Sequence, residues 1–115
     1  MERELYFSDE FWDFYHSQKP SVRSKFDYVI GIVRTERVIT TRFVKHLENT
    51  DLYEMRVSVG TNEYRTVLFA IDHDNIILST KILVLNAFLK KSTKDSKKQI
   101  EIAEKSLGGM NDGTL

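Results

Sequence analysis

LYEMRVSVGTNEYRTVLFAIDHDNIILSTKILVLNAFLKKSTKDSKK, residues 52–98, is the stretch whose reading decides the fold. Residues 52–59 alternate in polarity, residues 60–63 supply turn formers, and residues 64–71 alternate again, which predicts an antiparallel β-hairpin. Residues 72–75 carry a second turn signal. Residues 76–89 are long for one strand, and Ser79-Thr80-Lys81 interrupts their apolar pattern, so a bulge or bend is expected there. After the lysines, Thr93 or Ser92 can cap a last helix through Lys105, with Ile100, Ala103 and Leu107 at helical spacing. Gly108 and Gly109 then stop it.

Upstream, residues 4–7 read as a short strand, and Ser8 as an N-cap with Asp9 and Glu10 in the first helical turn. That helix, FWDFYHSQ, ends before Pro20. Residues 21–36 place Val22, Phe26, Val29, Ile30 and Val33 on one stripe, the signature of an amphipathic helix. Gly31 within it costs about 1 kcal/mol relative to Ala, which suggests close packing. Residues 38–50 read as a connector, with room for one helical turn in FVKHLE. The expected fold is α/β of the α+β kind. An N-terminal helical hairpin packs on a small antiparallel sheet of three to four strands, followed by a C-terminal helix. The expected domain spans 1–107, with a flexible tail over 108–115.

Composition fits this size of fold: 115 residues support one domain with a modest core. The absence of cysteine excludes thiol catalysis, disulfides and thiolate zinc sites, and it fits a reducing compartment. Hydrophobic residues make up 41% and charged ones 30%, too apolar a balance for general disorder. No apolar run reaches membrane-spanning length and MERELYFSDE lacks a signal peptide's pattern, so a cytoplasmic protein without a membrane partner is expected. Net charge is zero, but it is unevenly spread: residues 1–14 set five acids against Arg3, whereas residues 81–98 set six lysines against Asp95. A localised cationic face follows.

An arginine on a sheet face needs a partner or a task. Pairing Val59 with Tyr64 across the turn sets Arg56 and Arg65 on one face as diagonal neighbours, turned away from a floor of Met55, Val57, Val59 and Leu68. Lys90 and Lys91 follow the third strand near the same end. Arginine grips phosphate oxygens bidentately, and a lysine beside other cations is pushed toward its neutral, proton-accepting form. Such a set suits RNA cleavage by the RNA's own 2′-hydroxyl, which needs a base, positive charge at the phosphorane and an acid for the leaving oxygen. Sheet arginines also pair with glutamates, and Glu54 and Glu63 are available for that. KKSTKDSKK, with Lys94, Lys97 and Lys98, reads first on its own as a solvated helix start.

His46 is a further candidate acid, base or phosphate contact, while His16 and His73 fall on a helix and in a turn. No histidine pair has metal-ligand spacing, and serine-hydrolase and glycine-rich phosphate-loop signatures are absent, so no metal and no cofactor are expected. The aromatic cluster Tyr6, Phe7, Phe11, Trp12, Phe14 and Tyr15 reads mainly as core, with part of it available to a partner.

FVKHLENTDLYEMRV, NEYRTVLFAID and LVLNAFLKKSTKDSKKQIEIAEK, taken in order, resemble the RelE/HigB-like toxins of bacterial type II toxin–antitoxin modules, specifically the phage-derived HigB-like branch. The likeness rests on L-x-E-x-R-V in the first hairpin strand, Y-R opening the next, and F-x-K-K-x-x-K at the exit of the last. It implies a compact toxin whose basic surface cleaves mRNA, commonly in the ribosomal decoding site, and a cognate antitoxin, typically a helix-turn-helix protein. By this resemblance Arg65 and Arg56 act at the phosphate, Lys90 and Lys91 bind RNA or transfer protons, and Lys45, Lys94, Lys97 and Lys98 extend the RNA surface. Ser96 stands where many such toxins carry an aromatic or histidine, which leaves the general base unassigned. A gyrase-inhibiting ParE-like binder and a non-catalytic nucleic-acid or protein interaction module are the competing expectations.

Overall fold

A computed structural model describes residues 2–113, with side chains described up to residue 108. Its elements are β1 (Glu4–Phe7), α1 (Asp9–His16), α2 (Pro20–Thr35), β2 (Val44–His46), β3 (Leu52–Val59), β4 (Asn62–Ala70), β5 (Lys81–Leu89) and α3 (Thr93–Gly113). The strands form one sheet in the order β1-β5-β4-β3-β2. β1 runs parallel to β5, and the other neighbours are antiparallel.

The helices start and stop for local reasons. The Ser8 hydroxyl accepts from the Phe11 N–H and donates to the Leu85 carbonyl, so the cap of α1 is also fastened to β5. Pro20 opens α2, where its missing N–H costs nothing. The stripe Val22, Phe26, Val29, Ile30 and Val33 is buried along its length. Gly31 serves no close approach, because a Cβ there would meet nothing within 4 Å. α3 runs through Gly108 and Gly109 to Gly113, correcting the stop expected at that pair. Positions 114 and 115 of the expected tail lie outside the described residues.

The sheet is wider than three to four strands and is mixed. The connector over 38–50 contains β2 in place of a helical turn, paired in register with residues 53–55. Three residues carry too little periodicity to announce a strand. The β3–β4 hairpin turns on Gly60 and Thr61 alone, with Val59 opposite Asn62. Gly60 takes φ 60° at the first turn position, which a primed two-residue turn requires. The register is thus two residues tighter than the four-residue turn implies, and side-chain parity is unchanged. β5 begins only at Lys81, and its irregularity falls opposite Thr66–Leu68, not at Ser79–Lys81. Residues 71–80 form a loop instead, gathered by Asp72: its carboxylate accepts from the Ser79 and Thr80 hydroxyls and from the Thr80 and Lys81 amides.

Apolar residues cover both faces of the sheet. Met55, Val57, Tyr64, Leu68, Ile82 and Val84 pack beneath Phe11, Phe26, Val29 and Val33. Burying a side chain such as Phe11 or Phe26 contributes roughly 2–3 kcal/mol. On the opposite face Leu52, Val67, Leu85 and Phe88 form a smaller cluster closed by Ala103 of α3. From the aromatic group Phe11 is core, whereas Tyr6 and Trp12 remain exposed.

Arg3 is 2% exposed and meets no carboxylate among the described residues. All five of its N–H donors are satisfied by carbonyls, of Val33 in the last turn of α2, of Glu36 and Arg37 just after it, and of Ile77 and Ser79 before β5. It locks the chain's start to the end of α2 and to the 71–80 loop.

Candidate active site

Strand register brings the cations together. Arg56 and Arg65 are direct partners across β3 and β4, on the face that carries the smaller apolar cluster. Arg65 is paired in turn with Phe88 of β5, and the Lys90 amide donates to the Glu63 carbonyl at 2.8 Å. The exit of β5 therefore lies beside the arginine pair. Lys90 and Lys91 are exposed, as are Lys94, Lys97 and Lys98 on α3. A cleft of about 440 Å³ runs between Phe14 and Phe88, bordered by Lys91 and by the α3 side chains Asp95 and Lys98.

Arg65 is buried and both arginines are paired with carboxylates, a correction to the expected open guanidinium pair. The Arg65 side chain is only 6% exposed, and Phe88 and Val67 flank it on neighbouring positions of the same face. Glu54 Oε1 lies 3.3 Å from Arg56 Nε and 3.6 Å from Arg65 Nε, while Glu63 Oε1 lies 3.3 Å from Arg65 Nη1. Two guanidiniums and two carboxylates thus balance. Arg56 remains 31% exposed, and its Nε is buried without a hydrogen-bond partner. Glu63, at 43%, is the loosest member. Its carboxyl is held below the ordinary range first by the Ser58 hydroxyl across the hairpin and then by Arg65 and Arg56, against an opposing effect of burial.

Two expected residues sit elsewhere or differently. His46 pairs with Tyr53, so it belongs to the opposite face of the sheet; its ring packs edge-on to Tyr53 and its Nε2 lies 2.8 Å from the Thr50 carbonyl. The structure does not bring it to the arginines. Lys45 is the register partner of Glu54 and therefore borders the cluster from β2. Glu54 itself is the member that sequence reasoning treats only as a possible counter-ion. Its i, i+2 spacing from Arg56 on a strand already puts both on one face. Among the described residues, no three His, Asp or Glu side chains are grouped as a metal ion would need.

Comparison with known proteins agrees with this architecture. A family model described as phage-derived protein Gp49-like matches residues 13–107. A double mutant of the Escherichia coli toxin RelE in the free state superposes with a TM-score of 0.60 at 16% identity, covering 88% of this chain and 97% of that one. The RelBE toxin–antitoxin complex of E. coli gives 0.55 at 15% identity, covering 78% and 99%. The archaeal RelE–RelB complex of Pyrococcus horikoshii OT3 gives 0.52 at 19% identity, covering 77% and 96%. No curated protein matches the sequence. At these identities the structural likeness establishes the fold, which is that of RelE.

Proposed function

This chain belongs to the family of phage-derived Gp49-like proteins, and from that membership and its RelE fold we propose that it is the toxin of a type II toxin–antitoxin module, a ribosome-dependent endoribonuclease that cleaves mRNA through the RNA 2′-hydroxyl. One observation carries the reading: Arg56 and Arg65 are register partners on one sheet face, and the strand that pairs with Arg65 ends in Lys90 and Lys91. The charge balance found there suits an anion exchange. A scissile phosphate takes the partly exposed guanidinium of Arg56 first and then displaces the half-exposed Glu63 from Arg65 Nη1. Arg65, held by packing and by the Tyr64 carbonyl, receives the charge that develops on the phosphorane. Lys90 or Lys91 protonates the leaving 5′-oxygen, and Lys45, Lys94, Lys97 and Lys98 follow the RNA backbone. The nucleophile belongs to the substrate, so no cofactor enters the scheme.

Zero net charge favours an enzyme that borrows affinity from the ribosome over one that grasps free RNA. The other partner is a cognate antitoxin, of the helix-turn-helix kind. Its support is that the RelE proteins of E. coli and P. horikoshii were each crystallised with a RelB partner.

The test is induction of the wild type and Arg65→Ala in a bacterium, followed by mapping of mRNA 5′ ends. The wild type should arrest growth and create new ends within translated codons, and the variant should do neither. Equal growth without new ends would refute the enzyme. Replication arrest with translation intact would point to gyrase instead.

A further inference from the structure

We propose that Glu54 is the general base that takes the proton from the 2′-hydroxyl. This rests on the nuclease reading above and assigns the one role that reading leaves open. Glu54 is the carboxylate shared by the two arginines, 3.3 Å and 3.6 Å from their Nε atoms, and its side chain is 15% exposed. A base at that point is adjacent to whatever phosphate the guanidiniums hold, which is where the attacking 2′-oxygen must stand.

Its lone pairs are available. Glu54 makes no hydrogen bond among the described residues, and both arginine Nε atoms are buried without a hydrogen-bond partner, so the contacts are ionic and off-axis. The other candidates are committed or misplaced. Glu63 is engaged by Ser58 and Arg65 at the hairpin end, and His46 is on the opposite face with its Nε2 at the Thr50 carbonyl. Lys90 and Lys91 are exposed at the exit of β5 and already serve as the proton donor to the leaving oxygen in the scheme above.

The arginines also time the reaction. In the free protein two guanidiniums hold Glu54 in place. When a phosphodiester arrives, its negative charge engages the same guanidiniums and stands beside the carboxylate. Competition for those guanidiniums frees the carboxylate to accept the proton as the 2′-hydroxyl comes within reach. The O2′–H bond then breaks toward Glu54, O2′ bonds to phosphorus, and the P–O5′ bond breaks as a lysine ammonium protonates O5′. A 2′,3′-cyclic phosphate and a 5′-hydroxyl result, with no redox change and no water consumed.

The experiment is single-turnover cleavage of a ribosome-bound message by the full-length protein between about pH 5 and pH 9. Glu54→Gln should cleave about 100-fold or more slowly while still binding the ribosome, and the acidic limb of the pH–rate profile should vanish. Glu54→Asp should recover part of the rate and restore that limb. A Glu54→Gln protein within about threefold of wild type overturns the proposal, as does a slow one that keeps the acidic limb, which would make Glu54 a positioning residue only. Should emission from Trp12 reveal that Glu54→Gln is misfolded, Glu54→Asp decides alone. A shifted acidic limb supports the base role, and an unshifted one overturns it. Failure of the parent reading looks different: the wild type would leave the message whole, or would cut one whose scissile 2′-hydroxyl is replaced by hydrogen.

Discussion

Arg56 and Arg65 stand directly opposite one another across β3 and β4, two like charges that share the Glu54 carboxylate as a counter-ion. Facing like charges destabilise a strand pair, and a nearly buried guanidinium without a counter-ion is worse. Glu54→Ala should therefore lower the unfolding free energy by about 1–3 kcal/mol, and Arg56→Ala by under about 1 kcal/mol. The double variant should lose less than the sum of the two, since removing Arg56 relieves the repulsion that the first change exposes. Urea unfolding of the three proteins measures this.

Arg3 should prove the most sensitive position outside the site. Five carbonyls depend on one guanidinium, and an alanine would leave them facing a buried void. Arg3→Ala is expected to cost about 3–5 kcal/mol, a large share of the stability of a domain this size. Lysine should rescue little, because three donors cannot replace a planar fork of five. Denaturant midpoints of both variants against wild type provide the check.

Acid should loosen the 71–80 loop before the rest of the fold. The Asp72 carboxyl is held well below the ordinary carboxylate range, first by the Ser79 and Thr80 hydroxyls and then by the amides of Lys81 and Thr80. A depressed folded-state pKa means a contribution fully present above the unfolded value of about 3.9 and lost as pH falls from there toward the folded value. Asp72→Asn should thus lower the melting temperature clearly at pH 7 and progressively less as the buffer is made more acidic, below about pH 4. A gap that widened with acid would contradict the assignment.

The α3 lysines should act by charge alone. Replacing Lys94, Lys97 and Lys98 together with alanine should weaken binding to RNA of any sequence and reduce the salt slope of that binding by about one for each phosphate no longer neutralised. Fold stability should change by less than about 0.5 kcal/mol, because all three side chains are exposed. Binding isotherms at several salt concentrations, with parallel melting curves, separate the two effects.

What is legible in the chain is what periodicity and local chemistry write down. The buried stripe of α2, the Ser8 cap and the β3–β4 hairpin all follow from spacing within a dozen residues. Side-chain parity is robust to turn length here, because a shift of two residues leaves every side chain on its face. β2 is hidden because a three-residue strand is defined by its partner, and Gly108 and Gly109 mislead because helix stops are preferences that continued packing overrides. The ion pairs are legible only as options. Whether Arg65 faces solvent or lies beneath Phe88 depends on where β5 and α3 settle, a non-local outcome that a strand pattern does not contain.

The parallel pairing of β1 with β5 has a consequence for biogenesis. Among the described strands the first is held by the last, so during synthesis residues 4–7 must wait for residues 81–84 to leave the exit tunnel before they can pair. Lys90 and Lys91 emerge later still. A nascent chain therefore lacks the assembled cation cluster until residues 90 and 91 have left the tunnel, long after β1 has been made.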